Sequence, residues 1–449
     1  MKNLTLQQAS RQLSAAEIRA TILLEQALRQ ISAPDGEGGR TFSRVYADSA
    51  RQQAMAADAR YAAQRPLSAI DGLPISIKDL FDVQGEATTG GSRVLATAEA
   101  ATANAAMVER LLAAGAVLVG KTTMTEFAYS GLGINPHYGT PANAFDRASR
   151  RIPGGSSSGA AVALTDGMCL GSIGTDTGGS VRIPAALCGL TGFKPTARRI
   201  NAAGLLPLSP ALDSIGVIAA DVSSCLMLDA VIAEHPLQPE ARPLSEARFA
   251  VPQTRVLDGL DETVAKAFHQ AITRLKAAGA TIESLPLVEF AELTEINARG
   301  GFTALESWQW HQSLIARHPQ QYDPRVLSRI RRGAELGDAD RVLLEQQRRD
   351  WQQRVARQLR GYDAILMPTV PTIAPTIAAL EADEAHYFEV NGAMLRNPSM
   401  INFLDGCSLS LPCQPPGSAP VGLMISALAM QDNALLGWAL SIEQALTRP

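Results

Sequence analysis

The chain has 449 residues, 46% of them hydrophobic and 19% charged, with a net charge of −4. That length allows one large domain or two to three smaller ones, and the slight acid excess offers no electrostatic footprint for nucleic acid. No apolar run reaches the ~18 residues of a membrane span, and the five cysteines lack metal-ligand spacing, so they read as reduced core thiols of a reducing, cytoplasmic compartment.

The N-terminal stretch Met1-Lys2-Asn3-Leu4-Thr5-Leu6-Gln7-Gln8 has no apolar h-region and does not read as a signal peptide. Residues 1–65 are rich in Ala, Gln and Arg and read as helical, broken by a loop at Ala33-Pro34-Asp35-Gly36-Glu37-Gly38-Gly39. From 70 to 235 short apolar strands alternate with helices, the pattern of a largely buried, mixed sheet. The first such strand, Leu73-Pro74-Ile75-Ser76-Ile77-Lys78-Asp79-Leu80, encloses a lysine. A buried ammonium is costly, so Lys78 either pairs with an acid, Asp79 or another, or gives up its proton and becomes a base.

Next comes a helix over 105–114 that ends at Gly115, followed by a strand. Gly115-Ala116-Val117-Leu118-Val119-Gly120-Lys121-Thr122 matches the phosphate-loop pattern letter for letter. Its four variable residues are apolar and β-prone, so they form the strand itself and not a phosphate cradle. Residues 274–281 repeat the same helix–glycine–strand step. Asn135-Pro136-His137-Tyr138-Gly139 reads as a tight turn, with His137 structural.

Two serine-glycine clusters follow, Gly154-Gly155-Ser156-Ser157-Ser158-Gly159 and Gly174-Thr175-Asp176-Thr177-Gly178-Gly179-Ser180. Such runs are usually linkers, but these lie inside apolar sequence. Small residues in a core let several N–H groups converge on one developing negative charge, beside a hydroxyl able to attack. With Lys78 as base, the set has the parts of a Ser-Lys hydrolase. The first cluster also matches G-x-S-x-G, which would make Ser157 an elbow nucleophile. That reading needs a strand before it and a downstream histidine. Arg150-Arg151-Ile152-Pro153 makes a poor strand, and His235, His269, His311, His318 and His386 lie in no recognisable setting. Asp176 and Arg182, on either side of Ser180, read as a buried pair that holds the glycine loop.

Further on, Arg248-Phe249-Ala250-Val251-Pro252 and Ala280-Thr281-Ile282 frame a helix in a βαβ-like unit. The chain then turns helical and charged over 290–360, where Arg329, Arg331, Arg332, Arg341, Arg348 and Arg349 read as a solvated face. Tyr362-Asp363-Ala364-Ile365-Leu366-Met367-Pro368 returns as a buried strand. No cut between these parts is convincing.

The stretch 72–196, with both clusters, the Lys78 strand and Cys188-Gly189-Leu190-Thr191-Gly192-Phe193-Lys194-Pro195-Thr196, resembles the amidase signature family. Fainter echoes follow at Leu212-Asp213-Ser214-Ile215-Gly216 and Ala419-Pro420-Val421-Gly422-Leu423. The resemblance implies a three-layer α/β/α sandwich around a large mixed, twisted sheet, in one domain over 1–449, with 290–400 as a variable, mostly helical region that shapes substrate access. It implies a catalytic set of Lys78, Ser156 and Ser180. The two serines stand 24 positions apart, as the family has them. Ser180 would be the nucleophile. Ser156, preceded by a cis peptide, would relay protons to Lys78. Oxyanion donors would be the N–H groups of Thr177, Gly178, Gly179 and Ser180. Ala128, with Phe127 and Tyr129, would help line the acyl pocket. Ser158 departs from the glycine more usual in the family. The implied activity is hydrolysis of a small-molecule amide to acid and ammonia or amine, without metal or cofactor, nucleic acid or membrane; homodimerisation stays open. The alternative is the glutamine-hydrolysing subunit of a tRNA-dependent amidotransferase, for which the chain is somewhat short and lacks an extra docking segment.

Overall fold

Eleven strands hydrogen-bond into one mixed sheet in the computed structural model of the protein, which describes residues 4–447. In chain order they are β1 (Phe42–Val45), β2 (Pro74–Lys78), β3 (Val117–Thr122), β4 (Gly171–Asp176), β5 (Thr191–Lys194), β6 (Ser214–Ala219), β7 (Arg248–Pro252), β8 (Thr281–Leu285), β9 (Ala364–Pro368), β10 (Cys407–Pro412) and β11 (Gly422–Ala427). Their order across the sheet is β1-β3-β2-β4-β6-β5-β10-β11-β9-β7-β8. β3, β2 and β4 are parallel neighbours, as are β9, β7 and β8; the strands between them pair antiparallel.

Both faces are covered by helices, and β6 shows how. Successive strand residues point to opposite faces. Ile218 packs with Ala160, Ala161 and Ala185, from the helices Ser158–Thr165 and Arg182–Cys188. Its neighbours Val217 and Ala219 join Leu228 and Leu435, from the helices Val222–Ile232 and Asp432–Thr447. This is the α/β sandwich that the sequence implied, and it explains why every residue of β4, β5 and β6 is buried, polar ones included.

The helix Ala106–Ala113, Gly115 at φ +83° and β3 reproduce the helix–glycine–strand step, so the phosphate-loop match is a strand, with Lys121 buried in it. The helix Glu262–Ala277, Gly279 and β8 repeat the step, and β7 pairs parallel with β8. One element differs from expectation. β1 lies in the segment read as helical and pairs antiparallel with β3 at the sheet edge. Only its Phe42 is buried, so no apolar run or alternation marks it. Among the described residues, no helix is long and apolar enough to cross a membrane.

Candidate active site

β2 and β4 run side by side and parallel, so their C-terminal ends meet at one edge. Lys78 is the last residue of β2, while Thr175 and Asp176 close β4. Lys78 Nζ donates to Ser156 Oγ at 2.7 Å and to Thr175 Oγ1 at 2.9 Å. Lys78 and Ser156 are both fully buried, and no carboxylate stands within 4.0 Å of the amine among the described residues. Burial pushes the Lys78 pKa down to about 7, against the upward pull of the more distant charges of Asp213 and Asp176. Asp79, the partner considered from sequence, instead faces Lys121 at 3.8 Å.

The Gly155–Ser156 peptide is cis. A Cβ on Gly155 would stand 2.4 Å from the Gly133 nitrogen, so this approach of two backbones admits only glycine. Ser157 leads into the helix Ser158–Thr165 with no strand before it, and its N–H donates to the Ser180 carbonyl at 3.2 Å, tying the two clusters together. Ser158 Oγ makes only a long contact with the Thr123 carbonyl, 3.5 Å. No histidine among the described residues bonds a serine of either cluster. His311, buried on the helix Gly301–Arg317, bonds Tyr322, and His137 in its turn bonds Glu126 at 2.8 Å. The elbow arrangement is therefore absent among the described residues.

Asp176 and Arg182 are fully buried and meet through two hydrogen bonds, Arg182 Nε to Oδ2 at 2.9 Å and Nη2 to Oδ1 at 2.8 Å. Burial alone would raise the Asp176 pKa, but the Arg182 guanidinium overrides it and holds the carboxyl well below the usual range. Asp176 also takes the N–H groups of Gly179 (2.9 Å), Val181 (3.2 Å) and Arg182 (3.3 Å), and Asn402 Nδ2 caps it at 3.0 Å. This corrects one expected donor: the Gly179 N–H is spent inside the protein. The N–H groups of Thr177, Gly178 and Ser180 have no acceptor among the described residues, and these three residues line a cavity of about 510 Å³. No hydrogen bond joins the hydroxyls of Ser156 and Ser180; Ser156 is fully buried and does not line the cavity.

Ala128 and Tyr129 line the same cavity. Phe127 does not: it turns away and stacks edge-on with His311, ring centroids 4.3 Å apart. Sequence reasoning missed four residues. Thr175 holds Lys78. Asp213 accepts the Thr177 hydroxyl at 2.5 Å and the N–H groups of Leu208 and Ser209, and burial raises its pKa to about 6. Asn402 caps Asp176. Arg329 lines the cavity, stacks over the Tyr129 ring at 4.4 Å and donates to the Tyr129 carbonyl. The arginine run is thus no solvated face. Arg331, Arg332 and Arg349 are exposed, but Arg341 pairs with Glu306, and Arg348 feeds the carbonyls of Phe403, Ala211 and Asn402. The Leu212-Asp213-Ser214 echo was the one available signal for Asp213; nothing local marks the others.

The sequence model described as Amidase matches residues 23–436. The chain is similar to the 2-amino-5-chloromuconic acid deaminase of Comamonas testosteroni, 34% identical over 398 residues that cover 88% of this chain and 86% of that protein. It is similar to a glutamyl-tRNA(Gln) amidotransferase subunit from Chloroflexus aggregans, 34% identical over 96% of this chain and 94% of that one. Among solved structures, a crystallised amidase superposes with a TM-score of 0.88 at 30% identity, covering 98% of this chain and 99% of the other.

Proposed function

The chain belongs to the amidase family, enzymes acting on carbon–nitrogen bonds, and from that premise we propose that it is a serine amidohydrolase with Ser180 as nucleophile and a Ser156–Lys78 relay. The observation that carries this reading is Lys78 itself: a fully buried amine without an acid partner, hydrogen-bonded to Ser156 at 2.7 Å, with a pKa near 7. A group with that pKa accepts a proton at working pH and returns it.

Ser180 Oγ attacks the amide carbonyl. Its proton passes to Ser156 Oγ, while Ser156 hands its own to neutral Lys78 Nζ. The carbonyl oxygen becomes an oxyanion held by the N–H groups of Thr177, Gly178 and Ser180. One such donor is worth about 2.7–4 kcal/mol. Collapse breaks the carbon–nitrogen bond, and the leaving amine takes the proton back from Lys78 through Ser156. Water then cleaves the acyl-enzyme by the same relay, releasing the acid and restoring Ser180. The Ser156–Ser180 hydrogen bond that this route needs forms when substrate closes the site, since catalytic hydrogen bonds are commonly loose in an empty site.

The test is ammonia release across an amide panel, with Ser180→Ala expected to cut kcat at least about 10³-fold while the fold survives. A fluorophosphonate probe should label Ser180; labelling of Ser157 instead would sink the assignment. A second reading, the glutamine-hydrolysing subunit of a tRNA-dependent amidotransferase, is favoured by the Chloroflexus aggregans relative. Glutaminase activity that appears only with partner subunits would select it.

A further inference from the structure

Three arginines line the cavity into which Ser180 opens: Arg255, Arg329 and Arg396. No aspartate or glutamate lines it. None of the three has a carboxylate within 4.0 Å among the described residues, although other partly or fully buried arginines do, such as Arg182 with Asp176, Arg199 with Asp229, Arg325 with Asp323 and Arg341 with Glu306. Their contacts are to neutral acceptors. Arg329 donates to the Tyr129 carbonyl, Arg255 to Thr294 Oγ1, and Arg396 to the Asp258 carbonyl at 2.7 Å and Asn397 Oδ1 at 3.2 Å. All three are half-buried. Burial lowers the Arg396 pKa, against the upward pull of the Asp258 carboxylate beyond 4.0 Å, and the Arg255 charge adds a smaller downward push.

Partly desolvated like charges around one cavity repel, and the arrangement is compensated when an anion enters. The rest of the wall is uncharged: apolar Leu208, Phe290, Leu293, Met400 and Phe403 beside neutral polar groups such as Asn297. A volume of about 510 Å³ suits a small molecule. Resting on the amidase reading, we infer that the substrate is a small amide that also carries a carboxylate, its stem against the apolar wall and its carboxylate held by Arg255, Arg329 and Arg396. A planar guanidinium fork matches a carboxylate with two parallel hydrogen bonds. The Arg396 helix, Glu384–Phe403, also passes the oxyanion loop: a Cβ on Gly178 would lie 3.6 Å from Leu395 and 3.8 Å from Ser399. Anion site and nucleophile are therefore within one small molecule of each other.

The experiment is titration calorimetry on the Ser180→Ala protein, which binds without turnover. Succinamic and adipamic acids are compared with butanamide and hexanamide. The acids should bind at least about tenfold tighter, since hydrogen bonds to charged groups are worth more than neutral ones, and the preference should shrink with salt. Arg329→Gln and Arg396→Gln should each remove most of it, and Arg396→Lys, which keeps the charge, should retain part. Because Arg329 also bonds the backbone, a thermal melt on each variant separates lost folding from lost recognition, and Arg396→Lys against Arg396→Gln decides the matter if Arg329→Gln fails to fold. Neutral amides binding as tightly as the acids, no binding by either acid, or a preference untouched by both substitutions would each overturn the inference. Acids that bind through these arginines to a wild-type protein that releases no ammonia would leave it standing and defeat the amidase reading instead.

Discussion

Lys78 is where burial and charge oppose each other most directly. Loss of water favours the neutral amine, while the carboxylates of Asp213 and Asp176 favour the ammonium, and the balance sits near 7. Activity should therefore rise with pH through about 7 as Lys78 loses its proton, then level off. Asp213→Asn removes a negative charge that supports the ammonium, so the Lys78 pKa falls and the acid limb of kcat/KM moves to lower pH. The rate also drops, because the amide offers one acceptor oxygen where Asp213 uses both, for Thr177 and for the N–H groups of Leu208 and Ser209, but the midpoint carries the test; an unmoved midpoint would count against Lys78 as the base. Stability follows the same logic. The folded pKa lies below the unfolded value near 10.5, so the unfolded chain holds more protons between about 7 and 10.5, and this group's contribution to stability rises with pH across that window. Lys78→Met removes the burial cost. It should abolish activity yet raise the thermal midpoint, more at pH 7 than at pH 10.

The second glycine loop is held by two elements. The helix Arg182–Cys188 supplies Arg182, and the helix Glu384–Phe403 supplies Asn402 and the Pro398 carbonyl, which accepts from Arg182 at 3.0 Å. Arg182 and Asn402 both bond Asp176, which accepts the Gly179 N–H and so helps fix Gly179 at φ +127°. A Cβ there would lie 2.6 Å from Ile183 and 2.7 Å from Pro398, so the tight loop and the two helices specify one another. Asp176→Asn leaves Arg182 buried without a counter-charge. It should cost about 3–5 kcal/mol in urea denaturation, with activity lost as the Thr177–Ser180 turn slackens. A loss under about 1 kcal/mol, the range of an exposed pair, would show that the network is dispensable. Because the Asp176 pKa is depressed, the pair's contribution is full above the ordinary carboxylate range and fades only in strong acid.

At the scale of the molecule, the sequence spoke clearly where chemistry and burial coincide locally. β2, β3 and β9 are short, mainly apolar strands buried along their whole length, and the two glycine-serine clusters stand out against them. It was silent where only the fold decides. β1 exposes three of its four residues, Asp213 and Thr175 reach their partners across 36 and 97 positions, and Arg329 looks like its exposed neighbours until the chain wraps it onto Tyr129. The phosphate-loop match also needs the whole fold to judge. Lys121 is buried in β3 beside Asp79 and Glu86, at 3.8 and 4.0 Å, so no phosphate reaches it. The Thr177–Ser180 turn, by contrast, lines a cavity, and the N–H groups of Thr177, Gly178 and Ser180 have no acceptor among the described residues. A boronic acid should accept the Ser180 oxygen, become tetrahedral and sit in that turn. At about 100 times its Kd it adds roughly 2.7 kcal/mol, which for a chain of this length moves the thermal midpoint by about 3 °C. ATP and GTP at millimolar levels should move it not at all. A nucleotide shift without a boronate shift would mean that the working glycine loop is the one ending at Lys121 and not the one ending at Ser180.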